Sequence, residues 1–140
     1  MKLIQKIEAL GPQDYMSDAQ LAVFREWIET ELTSLREAQD KSIKGIQEIG
    51  VRASDPADSA TMTEEQQAHA RDSAGRKERI VALSQALATM REGEYGFCQK
   101  CGEEIGVKRM AAVPYAKHDV ECANTVSLSA KKDYGRIVLA

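Results

Sequence analysis

Two long stretches of this chain place apolar residues at alternating intervals of three and four, and the second stretch mirrors the first. The first seam runs Leu21, Phe24, Ile28, Leu32, Leu35, Gln39, Ser42, Ile46, Ile49. The second runs Met62, Gln66, His69, Ser73, Arg76, Ile80, Leu83, Leu87, Met90. Such spacing is the rhythm of a coiled-coil seam. Paired antiparallel, Phe24 meets Met90, Ile28 meets Leu87, Leu32 meets Leu83, Leu35 meets Ile80 and Ile46 meets His69. All five pairs share one midpoint near residue 57. A single turn there satisfies the whole register, and the pattern predicts a helical hairpin.

The segment Asp55-Pro56-Ala57-Asp58 supplies that turn. Proline inside a straight helix removes a hydrogen bond and clashes with the preceding turn, a cost of about 3 kcal/mol or more. Asp55 is pushed away from helical angles by the proline that follows it. Asp58 or Ser59 is expected to cap the second helix, and Glu64 and Glu65 suit the positive end of its dipole. The first helix, over 17–51, would be about 50 Å long at 1.5 Å per residue. A parallel dimer of single helices is the competing reading, and Pro56 together with the matched register argues against it. The seam weakens where Gln39 and Ser42 face Ser73 and Arg76. A buried Leu or Ile contributes about 1.5–3 kcal/mol, so the outer half is expected to be held loosely. His69 reads as a seam residue facing Ile46.

With 140 residues, two Phe, one Trp and four Tyr, there is no large aromatic core. Residues 1–10 form an amphipathic stretch (Leu3, Ile4, Ile7, Leu10) broken by Lys6 and Glu8 and closed by Gly11-Pro12. This lacks the apolar core of a signal peptide, and no apolar run approaches the ~20 residues of a membrane span. The expectation is a cytoplasmic protein without membrane contact. A net charge of −3 offers no general attraction to nucleic acid, whose binding rests on Lys and Arg. Over 55–72 there are five acids against one base, Arg71, so the end of the hairpin is negative. That favours a basic surface, a metal or a protein groove as its target, against the plain reading of solvated helix starts.

After the second helix come Gly93-Glu94-Tyr95-Gly96-Phe97 and then Cys98-Gln99-Lys100-Cys101-Gly102. Two thiolates two residues apart and followed by glycine form the knuckle that wraps a tetrahedral zinc ion. Cys122 is the third cysteine. Where a second pair would place its first member stands Asp119, so the pattern ends Asp119-x2-Cys122. Three readings stay open. Zinc is held by Cys98, Cys101, Cys122 and a fourth ligand, His118 first and Asp119 as the alternative. Or the fold holds without metal as three packed thiols. Or Cys98 and Cys101 are a redox dithiol, which the absence of a βαβ pattern disfavours. A structural disulfide does not suit a reducing cytosol.

These elements define an all-α chain: a long antiparallel coiled-coil hairpin plus a small zinc-finger-like globular module with a C-terminal helix. The expected divisions are an N-terminal amphipathic segment over 1–16 packing on the globular part, the hairpin over 17–92 with its tip at 54–60, and the module with its terminal helix over 93–140. The apolar tail Gly135-Arg136-Ile137-Val138-Leu139-Ala140 has no assigned role.

The chain resembles the DksA/TraR family of bacterial transcription factors. Asp14-Tyr15-Met16-Ser17-Asp18-Ala19-Gln20-Leu21 looks like the family's entry to the coiled coil. Asp55-Pro56-Ala57-Asp58-Ser59-Ala60 matches its tip motif, and the run from Tyr95 to Gly106 with Arg109 matches its zinc-finger signature. The resemblance implies a monomer that binds RNA polymerase rather than DNA. It implies that the hairpin enters the secondary channel and that Asp55, Asp58 and Ala60 at its tip alter promoter open complexes, repressing ribosomal RNA transcription as in the stringent response. The chain departs from the family at Asp119, where the third cysteine is missing, and so looks like the cysteine-poor variants. It also departs at Ala82, Val113 and Ala123, where many members place cations for guanosine tetraphosphate; weak dependence on that nucleotide is expected.

Two rival functions remain. A Gre-like transcript cleavage factor would use acids at a hairpin tip to hold a second Mg²⁺, but it lacks a Cys-x2-Cys module and carries a β-rich domain with no counterpart here. A zinc-stapled coiled-coil adaptor would join two proteins without acting on transcription. No phosphate loop, nucleophile–base pair or cofactor fingerprint points to an enzyme.

Overall fold

The structure is a computed structural model that describes the backbone of residues 2–52 and 56–139 and the side chains of 2–48 and 63–129. Five helices follow in order: α1 (Leu3–Glu8), α2 (Asp18–Arg52), α3 (Pro56–Glu92), α4 (Val107–Ala112) and α5 (Val120–Leu139). Among the described residues there is no strand beyond an isolated antiparallel bridge between Phe97 and Glu104. The all-α expectation holds. No described helix is long and apolar enough to cross a membrane.

Ser17 starts α2. Its hydroxyl accepts the Gln20 N–H at 3.3 Å, while Gln20 reaches back to accept the Met16 N–H at 2.9 Å. This is a capping box displaced by one residue, and it satisfies one donor of the first helical turn and one just before the helix. α3 starts earlier than expected. Pro56 is its first residue, and Asp58 lies inside the first turn rather than at the cap. The reason is local: a proline's missing N–H has no partner to lose at the first helical position, and its fixed φ is already helical. The C-terminal tail, without a role in the sequence pattern, continues the backbone of α5 as far as Leu139.

Two compact units make up the chain, residues 27–85 and residues 1–26 with 86–140. In the first, α2 and α3 pack antiparallel. Ile28 and Leu83 are fully buried and Leu32 nearly so. Farther out, the buried positions turn polar: Gln39, Ser42 and Ser73. This layer differs from the loose one expected. Gln39 donates from Nε2 to Ser73 Oγ across the pair, and Arg76 Nε donates to Gln39 Oε1 at 3.4 Å. Glu31 and Arg79 add an ion pair at 3.4 Å, which contributes little because both side chains are partly solvated. Ser42 Oγ is buried without a partner among the described residues.

The other unit has its own core, with Leu3, Ile7, Met16, Phe24, Met90, Tyr95, Ile105 and Met110 all buried. α1 packs on α4. α3 ends in a Schellman motif: Glu94 N–H bonds to Thr89 O at 2.9 Å and Gly93 N–H to Met90 O at 3.2 Å, with Gly93 at φ 77°. The chain then meets two tyrosines that hold the finger to this core. Tyr95 stacks edge-on against Phe24, with ring centroids 5.5 Å apart, and donates to Pro114 O at 2.8 Å. Tyr15 donates to Gly96 O and accepts the Gly106 N–H at 3.1 Å. Its ring also meets Phe97 edge-on at 5.5 Å. Gly96 sits at φ 89° against Met16, and a Cβ there would stand 2.8 Å from the methionine side chain. Only glycine fits.

Candidate metal centre

The Cys98–Cys101 knuckle forms because the chain turns back on itself at once. Gly102 N–H bonds to Cys98 O at 2.9 Å, and Cys98 N–H bonds to Glu103 O at 2.8 Å. Gln99 N–H bonds to Lys117 O at 2.8 Å, which brings the 117–119 segment beside the knuckle. Asp119 then begins α5. Its carbonyl accepts the Ala123 N–H at 2.9 Å, and its Oδ1 accepts the Cys122 N–H at 2.7 Å. These are the two bonds of an N-cap. Cys122 sits in the first turn, where side chains lean toward the helix start and so toward the knuckle.

Cys98, Cys101, Asp119 and Cys122 bring their ligand atoms within 4.8 Å of one another. Around zinc, with bonds of about 2.3 Å, tetrahedral sulfurs stand roughly 3.8 Å apart. A contraction of about an ångström or less would close this set on an ion. Three thiols and a carboxylate are all donors that zinc accepts. All three cysteines are free, so no disulfide competes for them. Of the two fourth ligands considered from sequence, Asp119 lies in the group and His118 outside it. His118 Nδ1 is 3.8 Å from Cys98 Sγ, and Arg109 Nε donates to the His118 carbonyl at 3.1 Å.

The four groups differ in charge. Burial pushes Cys98 up, but N–H groups of Cys101, Asp119 and Lys100, with His118, outweigh it and hold its thiol at about 6. Cys101 is lowered by the Glu103 N–H, yet Asp119, desolvation and Cys98 raise it more. Desolvation, with Cys101, Cys98 and Asp119 beside it, pushes Cys122 up to about 12. Asp119 is held low, first by the Cys122 N–H, then by the Cys101 thiol and by Arg109. Near neutral pH the site is therefore one thiolate, one carboxylate and two thiols. Cys101 donates its S–H to Asp119 Oδ2 at 3.3 Å.

Sequence reasoning missed Arg109 as a brace for this loop, and it missed Asp119 as a helix cap. The signal for the cap was present: an aspartate directly before an amphipathic stretch. The other site expected from sequence is the hairpin tip. Asp55 lies outside the described residues. Asp58 and Ala60 belong to α3 by their backbone, and their side chains lie outside the description.

Residues 93–127 match the prokaryotic dksA/traR C4-type zinc finger. The metal centre is thus that of a zinc finger, with a carboxylate where the remaining sulfur of a four-cysteine set would stand. The chain is 29% identical over 123 residues to the RNA polymerase-binding transcription factor DksA of Escherichia coli K12, covering 88% of this chain and 82% of that protein. It is 26% identical to the Haemophilus influenzae protein of the same name, covering 88% and 85%. The structure of transcription factor DksA2 from Pseudomonas aeruginosa superposes with a TM-score of 0.80 at 26% identity, over 91% of this chain and 98% of that one. The chain thus carries a finger of the dksA/traR type at 93–127, with Asp119 in place of one cysteine, and is similar to DksA proteins over most of its length.

Proposed function

We propose that this protein is a transcription regulator that binds RNA polymerase directly and acts through the tip of its helical hairpin. The observation that carries the reading is the match to DksA2 over nearly the whole of both chains, long helices and finger together. Relatives matched over 88% of the chain are named RNA polymerase-binding transcription factors. In this reading the segment 1–16 and the module 93–140 form a base, and 17–92 is an arm that enters the polymerase secondary channel. Asp55, Asp58 and Ala60 are its effector residues. A narrow channel admits two helices where it would not admit a globular domain, which gives the long seam a purpose. The factor works as a monomer in the cytoplasm, without binding DNA or membrane, and lowers ribosomal RNA promoter activity by shortening the life of open complexes.

Zinc, held by Cys98, Cys101, Cys122 and Asp119, would staple the finger; its role is structural and no chemical step passes through it. Guanosine tetraphosphate adds little, because Ala82, Val113 and Ala123 offer a tetra-anion no cation.

Asp58→Asn tests the proposal. Polymerase binding should survive, while inhibition of a ribosomal RNA promoter in vitro falls at least about tenfold. A variant that inhibits as well as the native protein sinks the tip assignment. Shortening of nascent RNA in a stalled complex would favour a cleavage factor instead.

A further inference from the structure

Asp119 touches all three cysteines. Its N–H faces Cys98 Sγ, its Oδ2 takes the Cys101 S–H at 3.3 Å, and its Oδ1 takes the Cys122 N–H at 2.7 Å. A cysteine in its place could serve the ion but would cap α5 poorly, because sulfur is a weak acceptor. A serine or asparagine could cap the helix but would be a poor partner for zinc. A carboxylate alone has two equivalent charged oxygens, and here they point at two different tasks.

We propose that Asp119 divides its carboxylate between the two: Oδ1 caps α5, and Oδ2 is the fourth zinc ligand, taking the ion in place of the Cys101 S–H. The inference rests on the zinc reading above and adds a consequence to it. The start of α5 is tied to the cysteine cluster with or without the ion, through the same residue. Metal loading therefore leaves the cap intact. A four-cysteine finger, by contrast, depends on its ion for that tie. Arg109 supports the arrangement, since its guanidinium holds the carbonyl of the preceding residue, His118.

The two tasks come apart under substitution. Asp119→Asn keeps a capping oxygen and removes the anionic ligand. Asp119→Cys supplies a fourth sulfur and removes the cap. Asp119→Ala removes both. Two quantities are read on the full chain: Zn²⁺ affinity, by competition with a chromophoric chelator, and exchange of the Cys122 amide hydrogen by NMR, with and without Zn²⁺. The native protein should show slow Cys122 exchange in both states. Asp119→Asn should weaken Zn²⁺ binding about 100-fold or more, on the scale by which even supporting groups of metal sites matter, with Cys122 exchange within about twofold of native. Asp119→Cys should bind Zn²⁺ at least as tightly as native, with exchange several-fold faster once the ion is removed. Native affinity in the Asn variant overturns the assignment of Oδ2 while leaving the zinc reading intact. Unchanged exchange in the Ala variant overturns the assignment of Oδ1. A native protein that takes up no Zn²⁺ overturns the zinc reading, and the proposal with it.

Discussion

Gln39 on α2 hydrogen-bonds Ser73 on α3 from a position where both side chains are more than nine-tenths buried. The two residues form a polar layer inside an otherwise apolar seam, and Arg76 adds a third member through Gln39 Oε1. Buried polar pairs of this kind fix register and orientation in coiled coils at some expense of stability.

Gln39→Ala should destabilise the protein by about 1–3 kcal/mol, because the Ser73 hydroxyl stays buried with nothing to bond. Replacing both partners, as Gln39→Leu with Ser73→Ala, should recover most of that loss. Urea denaturation of Gln39→Leu, Ser73→Ala and the double variant gives the coupling, expected at about 0.5–3 kcal/mol. A coupling of zero would show that the layer is not a unit.

Gly96→Ala should be more damaging than its size suggests. The position holds φ 89°, and the new methyl would stand 2.8 Å from Met16 and 2.9 Å from the Tyr15 hydroxyl. Strain and overpacking together should cost about 2–4 kcal/mol. Thermal melting followed by circular dichroism reads the loss.

Tyr95→Phe removes the donor to the Pro114 carbonyl at a buried position. A loss of about 1–2 kcal/mol is expected, with the edge contact to Phe24 preserved. The same substitution tests the ionisation of this group. Burial raises the Tyr95 phenol well above the ordinary tyrosine range, so it contributes no titration to the alkaline absorbance change until the fold is lost.

Zinc affinity should rise with pH. Zinc takes thiolates. Cys98, at about 6, has lost its proton near neutrality. Cys101 is raised and Cys122 sits at about 12, so two protons must leave on binding. Affinity should therefore climb roughly a hundredfold for each pH unit between about 7 and 8. Asp119 is held low and adds nothing in that window. Chelator competition at three pH values, corrected for the chelator's own protonation, measures the slope. A flat profile would mean that two thiols are not being deprotonated.

The hairpin was legible in the order of residues because its signals are local or share one centre. Spacings of three and four put Phe24, Ile28 and Leu32 on one face of α2, and those three are the buried apolar residues among its described side chains. The proline at 56 marked the break, although the helix begins at it rather than beyond it. The Cys98–Cys101 pair announced a metal knuckle by its spacing alone. Tertiary structure decided what spacing cannot carry. Gln39 and Ser73 looked like a weak layer until their side chains were found bonded across the helices. Tyr15 and Gly96 are far apart in the chain, so their bond and the close fit at Met16 had no local trace. His118 and Asp119 are neighbours in the chain, so their different placement beside the cysteines had no trace in the spacing. Neighbouring side chains leave the backbone in different directions: at the start of α5 the Asp119 carboxylate joins all three sulfurs, while the His118 imidazole reaches Cys98 from outside the group.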